Sequence, residues 1–523
     1  MNEHPWTSGQ RRIFVLCLAA SVVSFYSFLS GPYLLTEAAK QLRLSVDQSS
    51  LLYALPLIAS LLAVFLAGLF GDCHGRRKAM LVGGIAYSVG SFIALLSGSF
   101  EALVVARAME GLGVVFLRVS SLALTASFFQ VPVQRTFAIG AFGACVALIQ
   151  VVAPLSAATL ASAFGWKSIA VVWLIIGLIF IVLTLVLLPR GETIAQRQPT
   201  ELVTPLLAGF TALSVCLSLS SFQEGRSHGF ALLAAGLSAL TLLILMLRKR
   251  NNWSLTLDFL ARPGASFMII SLVLVSASDP VFITGLYLHK QHHLPTMQLG
   301  LAMIPVSICA AIGSLAAGPL IAKFNIFRAT IGACVLAIIA AIVLRFSALN
   351  SPVAVIIIVI SGYILVNKAA YISLLGAVLG LAPPGKAGSA AGWSLSAAIC
   401  GVAIGSVVLN GLVFNTFQAE LTEMLERTPI TRSLSGQVAA LVRQGKRNLV
   451  PEFFPTLKAP ELTALISARS PLVKQARFLA FRPIGPLLAG TNLLAIWALW
   501  MAHRGRSHRR AVPAASGTKP EGD

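Results

Sequence analysis

Charge is what this chain has least of: Asp, Glu, Lys and Arg together make up 11% of its 523 residues, where an ordinary soluble domain carries about 25%. That excludes a free-standing fold with a conventional polar surface. Acids are the scarcer sign, 18 against 39 bases, yet the net charge of +21 is not that of a nucleic-acid binder, because the bases fall between apolar runs instead of covering a polar face. Paired cysteines are missing as well. Cys17, Cys73, Cys145, Cys216, Cys309, Cys334 and Cys400 are scattered, with no CxxC pair and no zinc-ligand spacing, so neither a disulfide framework nor a metal site is expected. No Walker-type glycine loop is present to bind ATP, and no serine sits in a nucleophile elbow. Neither an enzyme nor a cofactor is expected.

What is present is hydrophobicity. Apolar residues make up 57% of the chain and the mean hydropathy is +0.85. The apolar runs recur in blocks of roughly 20 residues, the length at which a helix crosses a bilayer core. They predict an all-α polytopic membrane protein with fourteen transmembrane helices, at 13–35, 49–70, 79–98, 102–128, 136–163, 168–188, 202–221, 229–247, 265–288, 298–322, 327–347, 352–381, 388–416 and 483–503. The first run is longer than a signal-peptide core and lacks a small-residue cleavage pattern, so it reads as a retained span.

Lys and Arg near span ends stay on the cytoplasmic side. An even number of spans puts both termini together. With the termini inside, the inside segments hold about 20 Lys/Arg, among them Arg11, Arg12, Arg76, Arg77, Lys78, Arg248, Lys249 and Arg250, while the short outside loops hold six. A multi-pass protein of a cell (inner) membrane with cytoplasmic termini is expected. The polar stretch 418–482, with ten Lys/Arg, then falls outside, which loops of that length tolerate. Its amphipathic stretches Gln418–Arg427, Gly436–Gly445 and Pro460–Arg469 predict a small cap at the membrane surface, either a solvated loop or a docking surface for a periplasmic adaptor.

Between the second and third spans the chain reads Gly68-Leu69-Phe70-Gly71-Asp72-Cys73-His74-Gly75-Arg76-Arg77-Lys78. An acid at a helix end, a turn glycine and a basic cluster have a physical use: the acid can face the positive end of another helix and latch one conformation. A plain positive-inside loop accounts for Arg76 to Lys78 but not for Gly68, Asp72 and Gly75 at their spacing. Here the chain resembles the major facilitator superfamily, whose pattern in this loop is G-x-L-x-D-R-x-G-R-R/K; Phe70 and Cys73 stand where it has Leu and Arg. A second, degenerate copy, Gly318 to Arg328, follows about 250 residues later without the acid. Arg107-Ala108-Met109-Glu110-Gly111-Leu112-Gly113 is similar to the family's R-x-x-Q/E-G-x-G, and Gly385 to Gly392 with Gly401 and Gly405 resembles the fourteen-helix drug:proton antiporter branch. The resemblance implies two six-helix bundles, 1–190 and 263–503, with two inserted helices in 191–262, a long external loop at about 418–482 and a basic cytoplasmic tail, 504–523. Two departures bear on mechanism. The first span, around Phe25-Tyr26-Ser27-Phe28, lacks the acid usual in the branch, and in the fifth span the branch's G-P-x-x-G-G pattern is reduced to Ala153-Pro154-Leu155-Ser156-Ala157-Ala158.

Ionisable groups in the hydrocarbon are costly and usually functional. Five fall there: Arg107, Glu110 and Arg118 on the fourth span, Asp279 on the ninth and Lys368 on the twelfth. The spacing of three and eleven puts the first three on one face. Arg107 and Glu110 are either a self-neutralising pair that orients the helix or part of proton coupling and substrate contact. Asp279, ahead of Pro280, is either the N-cap of a half-helix or a protonatable group, and Gly31-Pro32 is its expected counterpart in the first span. Lys368 either snorkels or faces a cavity with Asn367, Tyr371 and Trp393. Tyr26 and Gln150 are weaker lining candidates. Three cations to two acids point to a polar or anionic ligand. His289, His292 and His293 read as a polar external loop and not as a metal site.

The expected function is a secondary carrier that moves a small organic, amphipathic compound across the plasma membrane by alternating access with protons as coupling ion, most simply as efflux. Its partners would be the small-molecule substrate, protons and the lipid bilayer. Uptake of a vitamin-like or other organic metabolite is the second expectation, and a non-transporting membrane sensor or scaffold is the third.

Overall fold

The computed structural model describes residues 6–188, 203–223, 228–249, 264–281, 284, 288, 296–347, 353–382, 385–427 and 471–511. Among these residues there is no strand; the chain is helical almost throughout. Six helices form the first half: α1 (Ser8–Gln41), α2 (Val46–His74), α3 (Arg76–Leu96), α4 (Phe100–Phe128), α5 (Pro132–Phe164) and α6 (Lys167–Leu187). A hairpin of α7 (Val203–Gln223) and α8 (His228–Lys249) follows. The second half comprises α9 (Ala265–Ala277), α10 (Thr296–Ala302), α11 (Ile304–Phe324), α12 (Ile326–Ser347), α13 (Val353–Leu379), α14 (Ala387–Glu426), α15 (Pro471–Phe481) and α16 (Ile484–Ala511). Ten of the described helices are long and apolar enough to cross a membrane.

Local chemistry sets the helix ends. Thr7 with Gln10, and Ser45 with Gln48, form reciprocal capping boxes that start α1 and α2. Gly75, at φ 93°, ends α2 and admits α3 at once, a backbone conformation open to glycine and closed to most other residues. Asn325, at φ 67°, makes the matching turn between α11 and α12, so the degenerate second motif keeps the turn geometry while losing the acid.

Each half has its own core. Leu16, Met80, Tyr87 and Trp173 anchor the first, and Ile360, Tyr363, Ile364 and Leu488 the second. A third cluster, with Val64, Phe65 and Val115 from one side and Leu375, Val378 and Ala391 from the other, joins the halves. The principal contacts between halves are α5 with α11 and α2 with α14. The α7–α8 hairpin lies against α2 and α14, where Leu213 and Leu217 meet Leu61 and Ile399. Large apolar side chains such as Ile179, Val186, Leu336 and Ile358 remain exposed on the outer faces, as a bilayer solvent requires.

Four expectations change. The ninth span is not continuous over 265–288: α9 stops at Ala277, and a new helical turn starts at Pro280, whose carbonyl accepts from the Thr284 N–H at 2.9 Å. The tenth, expected whole over 298–322, is divided at Met303, where Pro305 starts α11 and has no N–H to continue α10. The thirteenth does not end at 416 but runs through the first amphipathic stretch of the supposed loop to Glu426, because Phe417, Leu421 and Leu425 keep an apolar stripe that packs on Val473, Ala476 and Ala480. Gly31-Pro32 does not break α1. The histidines 289, 292 and 293 and the stretches Gly436–Gly445 and Pro460–Arg469 lie outside the described residues.

Candidate functional site

Asp72 lies in the last turn of α2 and reaches the first turn of α14. Its Oδ1 accepts from the Gly388 N–H at 2.9 Å, and its Oδ2 accepts from the Ser389 N–H at 2.8 Å and the Ser389 hydroxyl at 2.9 Å. A carboxylate from one half thus satisfies amide groups that a helix start leaves without partners, at its positive end. Arg76 holds the same carboxylate in an ion pair. Gly68 and Gly388 let the two backbones touch: a side chain on either would collide with the other's carbonyl. Arg77 donates to the Leu185 carbonyl at the end of α6 at 3.2 Å. The complement of this contact has no signature in the sequence. Arg135, from α5, donates to the Gly376 carbonyl at 3.1 Å, in the last turn of α13. A base therefore meets a negative helix end beside the acid that meets a positive one, and both contacts join the halves at the same end of the molecule.

Halfway along, α4 carries the second group. Arg107 donates to Glu110 Oε2 at 2.5 Å, and both side chains are buried, 3% and 1% exposed. The guanidinium also reaches the Leu52 carbonyl at 3.4 Å, lies 5.6 Å from the Trp173 ring and occupies the space left by the absent side chain of Gly31. Trp173 is fixed in turn by its indole N–H on Ser30, at 2.8 Å. Arg107, Glu110 and Arg118 line one small cleft with Ser24, Ser27 and Ser60, with about 20 Å³ open to a water. The expected shared face of the three residues is what the helix presents.

In the second half, Asp279 does two things at once. Its Oδ1 caps the broken helix by accepting from the Val281 N–H at 3.1 Å, and its Oδ2 accepts from Lys368 Nζ at 2.7 Å. Both are partly exposed, at 21% and 28%. Lys368 stands 5.9 Å from the Tyr371 ring. Asn367 donates to the Val275 carbonyl at 3.4 Å, in the α9 turn whose continuation is broken at Pro280. Tyr363 and Asn492, neutral groups that give no charge signal in the sequence, hold the same break: the Tyr363 hydroxyl donates to the Ser278 carbonyl at 2.8 Å and accepts from Asn492 at 3.2 Å.

The remaining candidates fall around the junction of the halves. Trp393 on α14 makes an edge-on contact with Phe65 of α2, centroids 4.9 Å apart, and its indole N–H is buried without a partner. Tyr26 is buried and its hydroxyl pairs with Ser156 at 2.8 Å, inside the altered α5 motif. Gln150 shares an α5 stripe with Gly140, Gly143 and Ala147 by its 3–4 spacing. The first two pack on Ser314 and Ala147 on the cluster containing Val306 and Ala310, but Gln150 is exposed. α5 thus packs on α11 up to Ala147, and the next residue of the stripe, Gln150, is exposed. Among the described residues no cluster of three His, Cys, Asp or Glu side chains could hold a metal.

Comparison with known proteins agrees with this arrangement. The sequence model described as Major Facilitator Superfamily matches residues 16–406. The drug efflux pump JefA of Mycobacterium tuberculosis is 28% identical over 289 residues, covering 52% of this chain and 54% of JefA. The multidrug efflux pump LfrA of Mycolicibacterium smegmatis is 24% identical over 403 residues, covering 72% and 79%. The chain spans about half the length of the first curated relatives it matches. Among solved structures, the human organic anion transporter MFSD10 (TETRAN) superposes with a TM-score of 0.58 at 14% identity, covering 94% of this chain and all of the other, 100%, a likeness of fold alone. With about three quarters of its length matched by the family's model, from α1 into α14, the chain belongs to the Major Facilitator Superfamily.

Proposed function

We propose that this protein is a secondary carrier that exports small organic, amphipathic compounds across the plasma membrane in exchange for protons, by rocking two helical bundles, 1–190 and 263–503, around a midplane cavity. The observation that carries the reading is the end at which the halves are held together. Asp72 and Arg135 hold the first half to the second there, while Gln150, further along α5, is exposed. The asymmetry of Lys and Arg supports placing the closed end, both termini and the basic tail in the cytoplasm, so the conformation is open outward. Breaking a few helix-end hydrogen bonds of about 1.5–3 kcal/mol each is the scale on which a two-state carrier changes its populations.

Two carboxylates are placed to carry the proton. Glu110 has one oxygen on Arg107 and the other buried without a partner, and Asp279 pairs with Lys368 at the break between α9 and the next turn. In each case an approaching substrate or a tilting bundle alters both the solvation and the basic neighbour of the acid, the two influences that decide whether it keeps its proton. The missing acid of α1 and the altered α5 motif favour uptake of an organic metabolite as the second reading.

Everted membrane vesicles test the proposal. An exporter accumulates its compound when the vesicle interior is acidic, and Asp279→Asn or Glu110→Gln abolishes the response to the gradient while leaving passive exchange. Accumulation only with the opposite gradient identifies an importer, and no transport of any compound overturns the carrier reading.

A further inference from the structure

Arg118 is the intramembrane charge that neither ion pair accounts for. Arg107 and Glu110 neutralise each other, as do Asp279 and Lys368. Among the described residues no carboxylate lies within ion-pair distance of Arg118, and its Nε is buried without a hydrogen-bond partner. The guanidinium lies over the Phe25 ring, 3.7 Å from its centroid, and faces the cleft it shares with Ser24, Ser27 and Ser60. A face of the guanidinium is thus occupied, and its fork of N–H donors is not. From the other half, Tyr371 is an electrostatic neighbour of both Arg118 and Lys368. A line of groups crosses the junction: Phe25 and Arg118 on one side, Tyr371 and Lys368 on the other.

An unpaired cation at this depth costs several kcal/mol. Around it lie serine hydroxyls and the Phe25 ring; the acid of the same cleft, Glu110, is held by Arg107 and stands beyond ion-pair distance of Arg118. An arriving anion offsets that cost, and a planar carboxylate or a sulfonate matches the guanidinium fork with two parallel hydrogen bonds. A cationic cargo would meet a net positive site in which both acids are already paired. We infer that the transported compound is an organic anion, a carboxylate or sulfonate on an apolar, ring-containing body. Its head pairs with Arg118 and its body rests between Phe25 and Tyr371. The inference rests on the carrier reading above and adds the substrate class to it.

The test uses the purified full-length protein and a matched panel: aromatic carboxylates and sulfonates, the corresponding amides, and the corresponding ammonium compounds. Each is scored by thermal stabilisation in detergent and by uptake into proteoliposomes. The anions are expected to stabilise and to be transported by the wild-type protein. Arg118→Gln should weaken anion binding at least tenfold and leave the weaker binding of the amides unchanged, while Arg118→Lys, which keeps the charge but not the fork, should fall between. Without ligand, Arg118→Gln should unfold at the wild-type temperature or above it, because a buried unpaired charge has been removed. A fall of several degrees would instead make Arg118 a structural residue and overturn the assignment. Undiminished anion binding by Arg118→Gln, or preference of the wild type for ammonium compounds, overturns the anion inference and leaves the carrier standing. If no member of any charge class is transported, both fail together.

Discussion

At the scale of single residues, the protein's intramembrane charges are mostly self-contained. Arg107 and Glu110 are buried together at 2.5 Å, so removing one leaves the other as an isolated charge. Arg107→Leu should therefore cost about 3–5 kcal/mol, visible as a large fall in unfolding temperature, whereas Arg107→Leu with Glu110→Leu should recover much of it. Equal losses in the single and double variants would show that the pair contributes little to stability. The i to i+3 spacing on one helix makes this pair legible in the sequence. Asp279 and Lys368, which are 89 residues apart, are each recognisable as intramembrane charges but not as partners, because only the packing of α13 beside the broken helix brings them together. Arg135 is hidden for a different reason. At a loop it counts as one more cytoplasmic base, and its carbonyl partner, on α13, carries no side-chain signal at all.

At the scale of elements, prolines show where local sequence decides and where it does not. Pro280 ends a helical run because Asp279, just before it, supplies a side-chain oxygen to cap the new start. Pro32 follows Gly31, which supplies none, and α1 continues through it; the Pro32 carbonyl is instead held by the Tyr53 hydroxyl at 2.9 Å and the Thr36 hydroxyl at 2.8 Å. The contact of α2 with α14 is legible as an acid facing a helix end, though local pattern does not show which helix. Asp72→Asn keeps the shape of that contact and removes the charge. Turnover should fall about tenfold, as expected for losing roughly 1.4 kcal/mol from one state of the cycle, while substrate affinity should change by less than about twofold. Transport at the wild-type rate would remove Asp72 from the cycle. Replacing Gly388 by Leu should be harsher, since the added side chain meets the Gly68 carbonyl and Arg76.

At the scale of the whole molecule, the proposed outward-open carrier is a wedge whose two halves are held together at the Asp72 and Arg135 end. In a cysteine-free background, Gln150→Cys should react with a membrane-impermeant maleimide added from outside, while Ser314→Cys, at a position 2% exposed and packed on Gly140 and Gly143, should not. Adding Asp72→Asn should lower labelling of the first site from outside and raise labelling of the second when the same reagent is applied to everted vesicles, as the closed end opens. Equal labelling at both sites in the parent protein would contradict the wedge. The helical spans, their order and the family are readable from hydropathy and motif spacing, because each rests on local pattern. Which end is closed is not, since it depends on Gly140, Gly143 and Ser314, small residues whose role is fixed by what lies opposite them.

The length of α14 has a mechanical consequence. Forty residues in one unbroken helix make a rod of about 60 Å, twice the hydrocarbon thickness of about 30 Å. Its foot is held by Asp72, and its upper third is braced by α15. A rigid rod pivoting near the bilayer centre magnifies small rotations, so a tilt of about 10° would sweep the far tip sideways by roughly 7 Å for a 40 Å arm. In the proposed carrier, release of a single carboxylate at the foot would thereby be converted into displacement outside the membrane, making α14 a pointer readable from the aqueous side.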